Sequence, residues 1–223
     1  STGTSVNFVS YLGDDELSHA LDEHLKGSDI ATLYTPVIPG PVSHVAIPVD
    51  EQGERTIVVI ADDKLDQVSL DGLPIKAHDI VAFVIWRNNF VKDLEIAQKA
   101  GAITVVGSAA LTDAQVLRAD YLIGSRDDFS GDYSVEQALT RFTYVVVTSG
   151  ADGATFYSAQ GSIFQPAEIA EVVDTTGAGD AFLSALLHYL VINKTIDAKA
   201  MALAARWSAL TVSSQGSIPP RFE

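Results

Sequence analysis

Asp174-Thr175-Thr176-Gly177-Ala178-Gly179-Asp180-Ala181-Phe182 is a small, glycine-rich turn that runs straight into an apolar-periodic segment. Phe182, Ala185, Leu186, Tyr189 and Leu190 recur at helical spacing, so a helix starts near Gly179. The first backbone N–H groups of such a helix have no partner inside it and carry the positive end of its dipole. Two glycines and an alanine leave room for a phosphate to approach those groups. Asp180 falls beside that anion site, an odd place for a carboxylate unless it serves as a base. A bare Gly-x-Gly-Asp has a plainer reading, a tight loop with an ordinary first-turn acid. A phosphate hole with an adjacent base is the pattern of a phosphoryl-transfer site.

The rest of the chain sets bounds on that reading. Its 223 residues suffice for one sizeable core, and 47% hydrophobic content with 8 prolines reads as globular. No apolar run is long enough to span a bilayer, and the first residues lack the basic-then-apolar pattern of a signal peptide. The absence of cysteine excludes disulfides and thiolate metal sites and fits a reducing compartment, so a cytoplasmic location is expected. With 29 acidic against 14 basic residues the formal charge is −15, which argues against a nucleic-acid or anionic-membrane partner. A polyanionic nucleotide would have to be met locally, by N–H groups, Mg²⁺ and a few cations. His19, His24, His44, His78 and His188 show no ligand spacing, so no zinc site is expected.

Strand-like and helix-like segments alternate, which favours an α/β fold with a mostly parallel sheet. Asp14 or Asp15 caps a helix carrying Leu17, Leu21 and Leu25 and stopped by Gly27, and Ser5–Leu12 reads as the start of a helix. Ser43–Val49 and Arg55–Ile60 form a hairpin pattern. Further strands are expected at Asp79–Trp86, Ile103–Val106, Tyr121–Ile123 and Tyr144–Thr148, and an antiparallel pair at Ala154–Ser158 and Ser162–Gln165. Helices are expected at Val91–Ala100, Ser134–Thr140 and Ala198–Ser213, where Trp207 reads as core.

The Asp174–Phe182 string resembles the D-T-x-G-A-G-D-x-F signature of the ribokinase-like carbohydrate kinases, a family of sugar and nucleoside kinases. Other segments resemble that family in its own order. Gly3-Thr4-Ser5-Val6-Asn7 is similar to its G-x-x-x-N element, Gly13-Asp14-Asp15 to its G-D-D, and Gly53-Glu54-Arg55-Thr56 to the G-E-R-T of its lid hairpin. Thr148–Gly153 resembles the T-x-G-x-x-G turn beside the nucleotide, and Gln215–Pro219 the closing segment. The resemblance implies a three-layer α/β sandwich with a small β lid, as a single domain over 1–223 with the lid near 43–60. It also implies ATP and Mg²⁺ as cofactors, a monovalent cation as a candidate third, a sugar or sugar derivative as substrate, and a homodimer through the lid.

Carried over residue by residue, the resemblance makes Asp180 the general base and Gly177, Ala178 and Gly179 the anion hole beside it. Thr148, Gly150, Gly153, Ser125 and Gly216 border the nucleotide, Gly3 and Asn7 contact the sugar, and Asp128 orders a water on Mg²⁺. Three departures stand out. Ser125-Arg126-Asp127-Asp128 replaces the family's N-x-x-E, no strand precedes Gly3, and the chain is shorter than its relatives. Family segments are therefore expected to be absent around Leu12–Gly13 and Val106–Gly107. The other reading is an impaired family member that binds nucleotide or sugar in a binding or regulatory role.

Overall fold

The computed structural model describes residues 4–28, 30–48, 58–116, 118–129 and 133–216, which divide into two compact units. The larger spans Leu73 to the C-terminus together with the first residues up to Thr4, and the smaller spans Ser5–Gly72.

The smaller unit contains β1 (Asn7–Val9), α1 (Glu16–Lys26), β2 (Thr32–Tyr34), β3 (His44–Ala46) and β4 (Val58–Ala61). Ser5–Leu12 is not a helix. Asn7–Val9 pairs in parallel with Thr32–Tyr34, and Leu12 continues the pairing as a bridge to Val37. The backbone bonds of Ser10 to Tyr34 and of Leu12 to Pro36 go to this partner strand, which single-segment periodicity could not reveal. α1 begins where expected. Asp15 is its N-cap, accepting from Ser18 N–H at 3.0 Å, and the Ser18 hydroxyl bonded to it holds the carboxyl below its usual range. Its leucines are not what it buries most: Leu17 is 52% exposed while Ser18 is buried. Ser18 Oγ accepts the Gly13 N–H at 2.8 Å, so the cap itself docks the helix. β3 and β4 pair antiparallel as expected, and Tyr11, Ile38 and Val68 form a small separate core with Val9, Val42 and Leu65 packed on it; Gly53–Thr56 lies outside the described residues.

The larger unit is built on one six-stranded sheet. Its strands are β5 (Ile80–Phe83), β6 (Ile103–Gly107), β7 (Ala119–Ser125), β8 (Phe142–Thr148), β9 (Ala154–Ser158) and β10 (Gly161–Gln165). They lie in the order β10-β9-β8-β7-β6-β5; β5 to β8 are parallel, and β9 and β10 are antiparallel additions. The parallel strands are connected through α2 (Phe90–Lys99), a short 3₁₀ turn at Ser108–Leu111, and α3 (Val135–Ala138), which is opened by a Ser134–Gln137 capping box. α4 (Ala178–Asn193) and α5 (Ala198–Val212) close the chain, each within a residue or two of the sequence expectation.

Period-two burial accounts for the layers. Val105, Tyr121, Val146 and Phe156 face Phe182, Leu186 and Leu190 of α4 and Met201, Ala204 and Trp207 of α5. Alternate residues Thr104, Val106, Leu122, Val145 and Val147 are buried as well, and α2 and α3 pack on β6 and β8. Tyr121, Tyr144 and Phe156 stack across three neighbouring strands at 4.7 and 5.4 Å between ring centroids. One loop is held by a single cation. Arg141 donates to the carbonyls of Ala110, Leu111, Asp113 and Val116, tying the β6–β7 connection to the start of β8.

Candidate active site

Every parallel strand of the larger unit ends on the same edge of the sheet, and a cavity of about 390 Å³ opens there. Its wall takes in Trp86 and Arg87 after β5, Gly107 and Ser108 at the end of β6, Gly124 in β7, Thr148 in β8, and Gly179, Phe182 and Leu183 of α4. A crevice outside the carboxyl ends of the strands is where open α/β sheets bind ligands. The strand expected at Asp79–Trp86 stops at Phe83 because Val84–Trp86 leave the ladder to form this wall.

The Gly177 turn delivers α4 to the cavity. Gly177 sits at φ +81°, a left-handed conformation that glycine adopts without the Cβ penalty, and its carbonyl accepts the first helical bond, from Ala181 N–H at 2.9 Å. Ala178 N–H reaches back to Thr175 O at only 3.4 Å. The N–H groups of Gly179 and Asp180 belong to the first turn, which has no helical carbonyl to receive them. Asp180 is exposed, next to Gly179. Its side chain is not part of the cavity wall, whereas Gly179 is.

Asp174 organises this turn, a role the sequence reading did not give it. One carboxylate oxygen accepts Thr176 N–H at 2.8 Å and the other accepts Gly216 N–H at 3.3 Å. The N–H groups of Val173 and Asp174 both donate to Val212 O, so the turn is also bonded to the last residue of α5. Gly216 thus lies behind the turn, bonded to the Asp174 carboxylate. The signal was present in the sequence as an Asx turn, an aspartate two residues before the N–H it accepts.

Thr148 is brought to the cavity, its hydroxyl donating to Gly124 O at 3.3 Å. Gly150 and Gly153 form the turn between β8 and β9, closed by Ser149 N–H to Gly153 O at 2.7 Å. Gly153 has φ +109°, and a Cβ there would lie 2.1 Å from Gln165 O, so only glycine fits. Ser125 ends β7, and its N–H and hydroxyl donate to the same Asp128 oxygen at 2.7 and 3.0 Å. Arg126 bridges that turn to the β8–β9 turn, donating to Ser149 Oγ at 3.2 Å and Asp152 at 2.5 Å. Sequence reasoning missed this link, because its partners are 23 and 26 residues away.

Among the described residues no set of three or more histidine, aspartate or glutamate side chains converges as a metal cage. Asp128 is exposed and spends one oxygen on its own turn. That suits an ion such as Mg²⁺, which keeps several waters and takes one or two carboxylates together with substrate phosphates. Asn7 is exposed on β1 in the smaller unit. Gly3 lies outside the described residues. No helix among the described residues is long and apolar enough to cross a membrane.

A mostly parallel sheet with a crevice at its carboxyl edge, and a glycine turn opening a helix into it, defines a class of α/β enzymes that handle phosphorylated ligands. Comparison with known proteins narrows the class. The profile of the pfkB family carbohydrate kinases matches residues 1–222. A ribokinase of Bacillus subtilis is 27% identical over 239 aligned positions, covering 99% of this chain and 80% of that protein. The alignment is longer than the chain, so the ribokinase carries residues within it that this chain lacks. Among solved structures, a fructokinase of Vibrio cholerae with fructose, ADP and calcium bound has a TM-score of 0.80 at 21% identity, covering 97% of this chain and 82% of its own. A Burkholderia thailandensis nucleoside kinase in complex with inosine also scores 0.80 at 21% identity, covering 97% of this chain and 76% of its own. The chain belongs to the pfkB family of carbohydrate kinases and has the ribokinase-like fold.

Proposed function

We propose that this protein transfers the γ-phosphoryl group of ATP to a hydroxyl of a sugar or sugar-like small molecule. One observation carries the reading: the Gly177–Asp180 turn brings Gly179, in the first turn of α4 where N–H groups lack a helical carbonyl, to the wall of the strand-edge cavity, with the exposed Asp180 next to it. The names of the relatives support the same chemistry, since they are ribokinases, fructokinases and nucleoside kinases.

Phosphoryl transfer has a loose transition state, so the protein mainly positions groups and stabilises charge. Ala178, Gly179 and Asp180 direct backbone N–H groups at the equatorial oxygens of the transferring group, and the α4 dipole adds to them. The Asp180 carboxylate accepts the acceptor hydroxyl's proton late, as the new bond to phosphorus forms. Thr148 and the Gly150–Gly153 turn border the nucleotide, with Ser125 at the neighbouring strand end. Arg126 holds the two turns together. Gly216 braces Asp174 and thereby the anion hole. Asn7 and Gly3 are assigned to the sugar, by likeness of their motif. Mg²⁺, when bound, neutralises phosphate charge, and Asp128 is the residue assigned to its water shell. The exposed apolar side chains of β3 and β4, Val45, Val58, Val59 and Ile60, support a homodimer through this hairpin.

The test is a coupled ADP-release assay over a panel of sugars and nucleosides, run with wild type and Asp180→Asn. Turnover in the variant should fall about 10²- to 10⁴-fold, the usual contribution of a general base. Near-normal turnover would remove Asp180 from that role. Nucleotide binding without turnover of any acceptor would favour the binding or regulatory reading instead.

A further inference from the structure

We infer that Arg126 contacts the donor nucleotide, holding the phosphates that stay with the nucleoside when the terminal one is transferred. This inference deepens the kinase reading above and rests on it.

At the turns that end β7 and β8, the hydrogen-bond donors are largely committed to the turns themselves. Ser125 gives both its N–H and its hydroxyl to one Asp128 oxygen, at 2.7 and 3.0 Å. The Thr148 hydroxyl donates to Gly124 O at 3.3 Å. The N–H groups of Ser149, Asp152 and Gly153 close their own turn, at 2.7, 3.1 and 3.1 Å. Residues 124–129 and 148–153 set three aspartates, Asp127, Asp128 and Asp152, against one cation, Arg126. In a chain with a formal charge of −15, a polyphosphate arrives against the overall field, and a local cation offsets it.

Arg126 is held in place with donors to spare. Its Nε donates to Ser149 Oγ at 3.2 Å and its Nη2 to Asp152 at 2.5 Å, so the side-on edge of the guanidinium is anchored to the β8–β9 turn. Among the described residues those bonds leave both N–H groups of Nη1 and one of Nη2. They form the end-on edge of the fork, which matches two oxygens of a phosphate. The Arg126 side chain is 60% exposed, so that edge is open to a ligand. An ion pair this exposed adds little stability, and what it supplies is orientation, as preorganised recognition requires.

The position of Arg126 on the sheet edge gives it the donor side. Ser125 is the register partner of Thr148, and Thr148 and Gly124 both line the cavity. Arg126 follows directly on Ser125 and is bonded into the turn assigned to the nucleotide. Gly179 faces the same cavity from α4. With the transferring phosphoryl at Gly179 and the nucleoside along Gly150–Gly153, the guanidinium falls to the phosphates between them. In a loose transition state charge builds on the leaving group as its bond to phosphorus breaks, so the same contact supports transfer as well as binding.

The experiment is titration calorimetry with ATP and ADP, each with excess Mg²⁺, on the full chain at low and high salt. It compares wild type with Arg126→Met, Arg126→Lys and Asp152→Asn. Arg126→Met should weaken both nucleotides about 10- to 100-fold, the range for a charge-assisted hydrogen-bonded pair. Arg126→Lys, which keeps the charge and loses the fork, should retain part of the affinity. Asp152→Asn, which loosens one anchor and leaves the guanidinium, should cost much less than Arg126→Met. The salt dependence of ATP binding should flatten in Arg126→Met, where the charge to be screened is gone, and persist in Asp152→Asn. ATP affinity in Arg126→Met equal to that of wild type would overturn the proposal. Equal losses in Arg126→Met and Asp152→Asn, or a salt dependence unchanged in Arg126→Met, would make Arg126 only a brace between turns and overturn it too. The ADP-release assay over sugars and nucleosides, run on the same samples, tests the kinase reading separately. The expected binding pattern without turnover of any acceptor would refute that reading and leave the phosphate contact standing. A wild type that binds neither nucleotide would refute both.

Discussion

Gly179→Ala should make this protein more stable and nearly inactive, and the opposite signs test the anion hole directly. Gly179 lies in the first turn of α4 with helical backbone, and a Cβ built on it meets no atom within 4 Å. Alanine at such a position removes unfolded-chain entropy without strain, which stabilises by about 0.4–1 kcal/mol. For a chain of this size that is a rise in Tm of roughly 1–4 °C. The same methyl points into open space because that space belongs to the cavity, of whose wall Gly179 is part. A phosphoryl group approaching the N–H groups of Ala178, Gly179 and Asp180 would meet the methyl before reaching them. Loss of one such donor costs about 10²- to 10³-fold in kcat. Differential scanning fluorimetry and the coupled ADP-release assay read the two signs on the same sample. A fall in Tm would mean that Gly179 is not in open space. Turnover within threefold of wild type would mean that the phosphoryl group does not approach this turn.

Other outcomes follow from single residues. Gly153→Ala combines an unfavourable φ with a Cβ 2.1 Å from Gln165 O, so it should cost at least about 3 kcal/mol and lower Tm by roughly 6–12 °C, read by thermal melting; a drop under about 2 °C would contradict the close approach. Asp197 is the N-cap of α5, accepting from Lys199 and Ala200 N–H, and those backbone bonds with Tyr189 OH hold its carboxyl below the ordinary value of 3.8. A depressed folded-state pKa means the stabilisation is present above the unfolded value and lost as pH falls through the folded one. Asp197→Ala should therefore cost about 1 kcal/mol in denaturant melts at pH 7, and wild type and variant should converge as pH falls through the depressed folded-state pKa. Val59→Lys places a charge on an exposed apolar strand of the β3–β4 hairpin and should dissociate a lid-mediated dimer in sedimentation velocity; a monomeric wild type would refute that assembly.

What could be read from the chain and what could not divides along physical lines. The α4 turn, the α1 cap, which the sequence left between Asp14 and Asp15, and the short helix after Ser134 are local arrangements, decided by residues within a turn of one another, and each forms where a helix start was expected. The buried parallel strands were legible because burial on both faces leaves continuous apolar runs such as Tyr144–Val147. β1 was not, because three residues carry no decisive period and their strand character depends on pairing with Thr32–Tyr34. The leucines of α1 show a related limit. Their spacing is helical, but exposure of Leu17 at 52% and Leu21 at 38% leaves the docking to Ser18. Periodicity reported the helix and not the face it buries.

The candidate site divides in the same manner, and the division bears on what determines the substrate. The half proposed to handle phosphate is a contiguous string, so its residues announce themselves in sequence. The groups that brace it are long-range pairs: Asp174 with Gly216, 42 residues apart, and Arg126 with Asp152, 26 apart. Another part of the cavity wall, Val84–Arg87 and Gly107–Ala109, is assembled from strand ends that carry no motif. Transfer chemistry is common to any phosphorylated hydroxyl and fixes the first half, whereas the acceptor's shape and charge act only on the second.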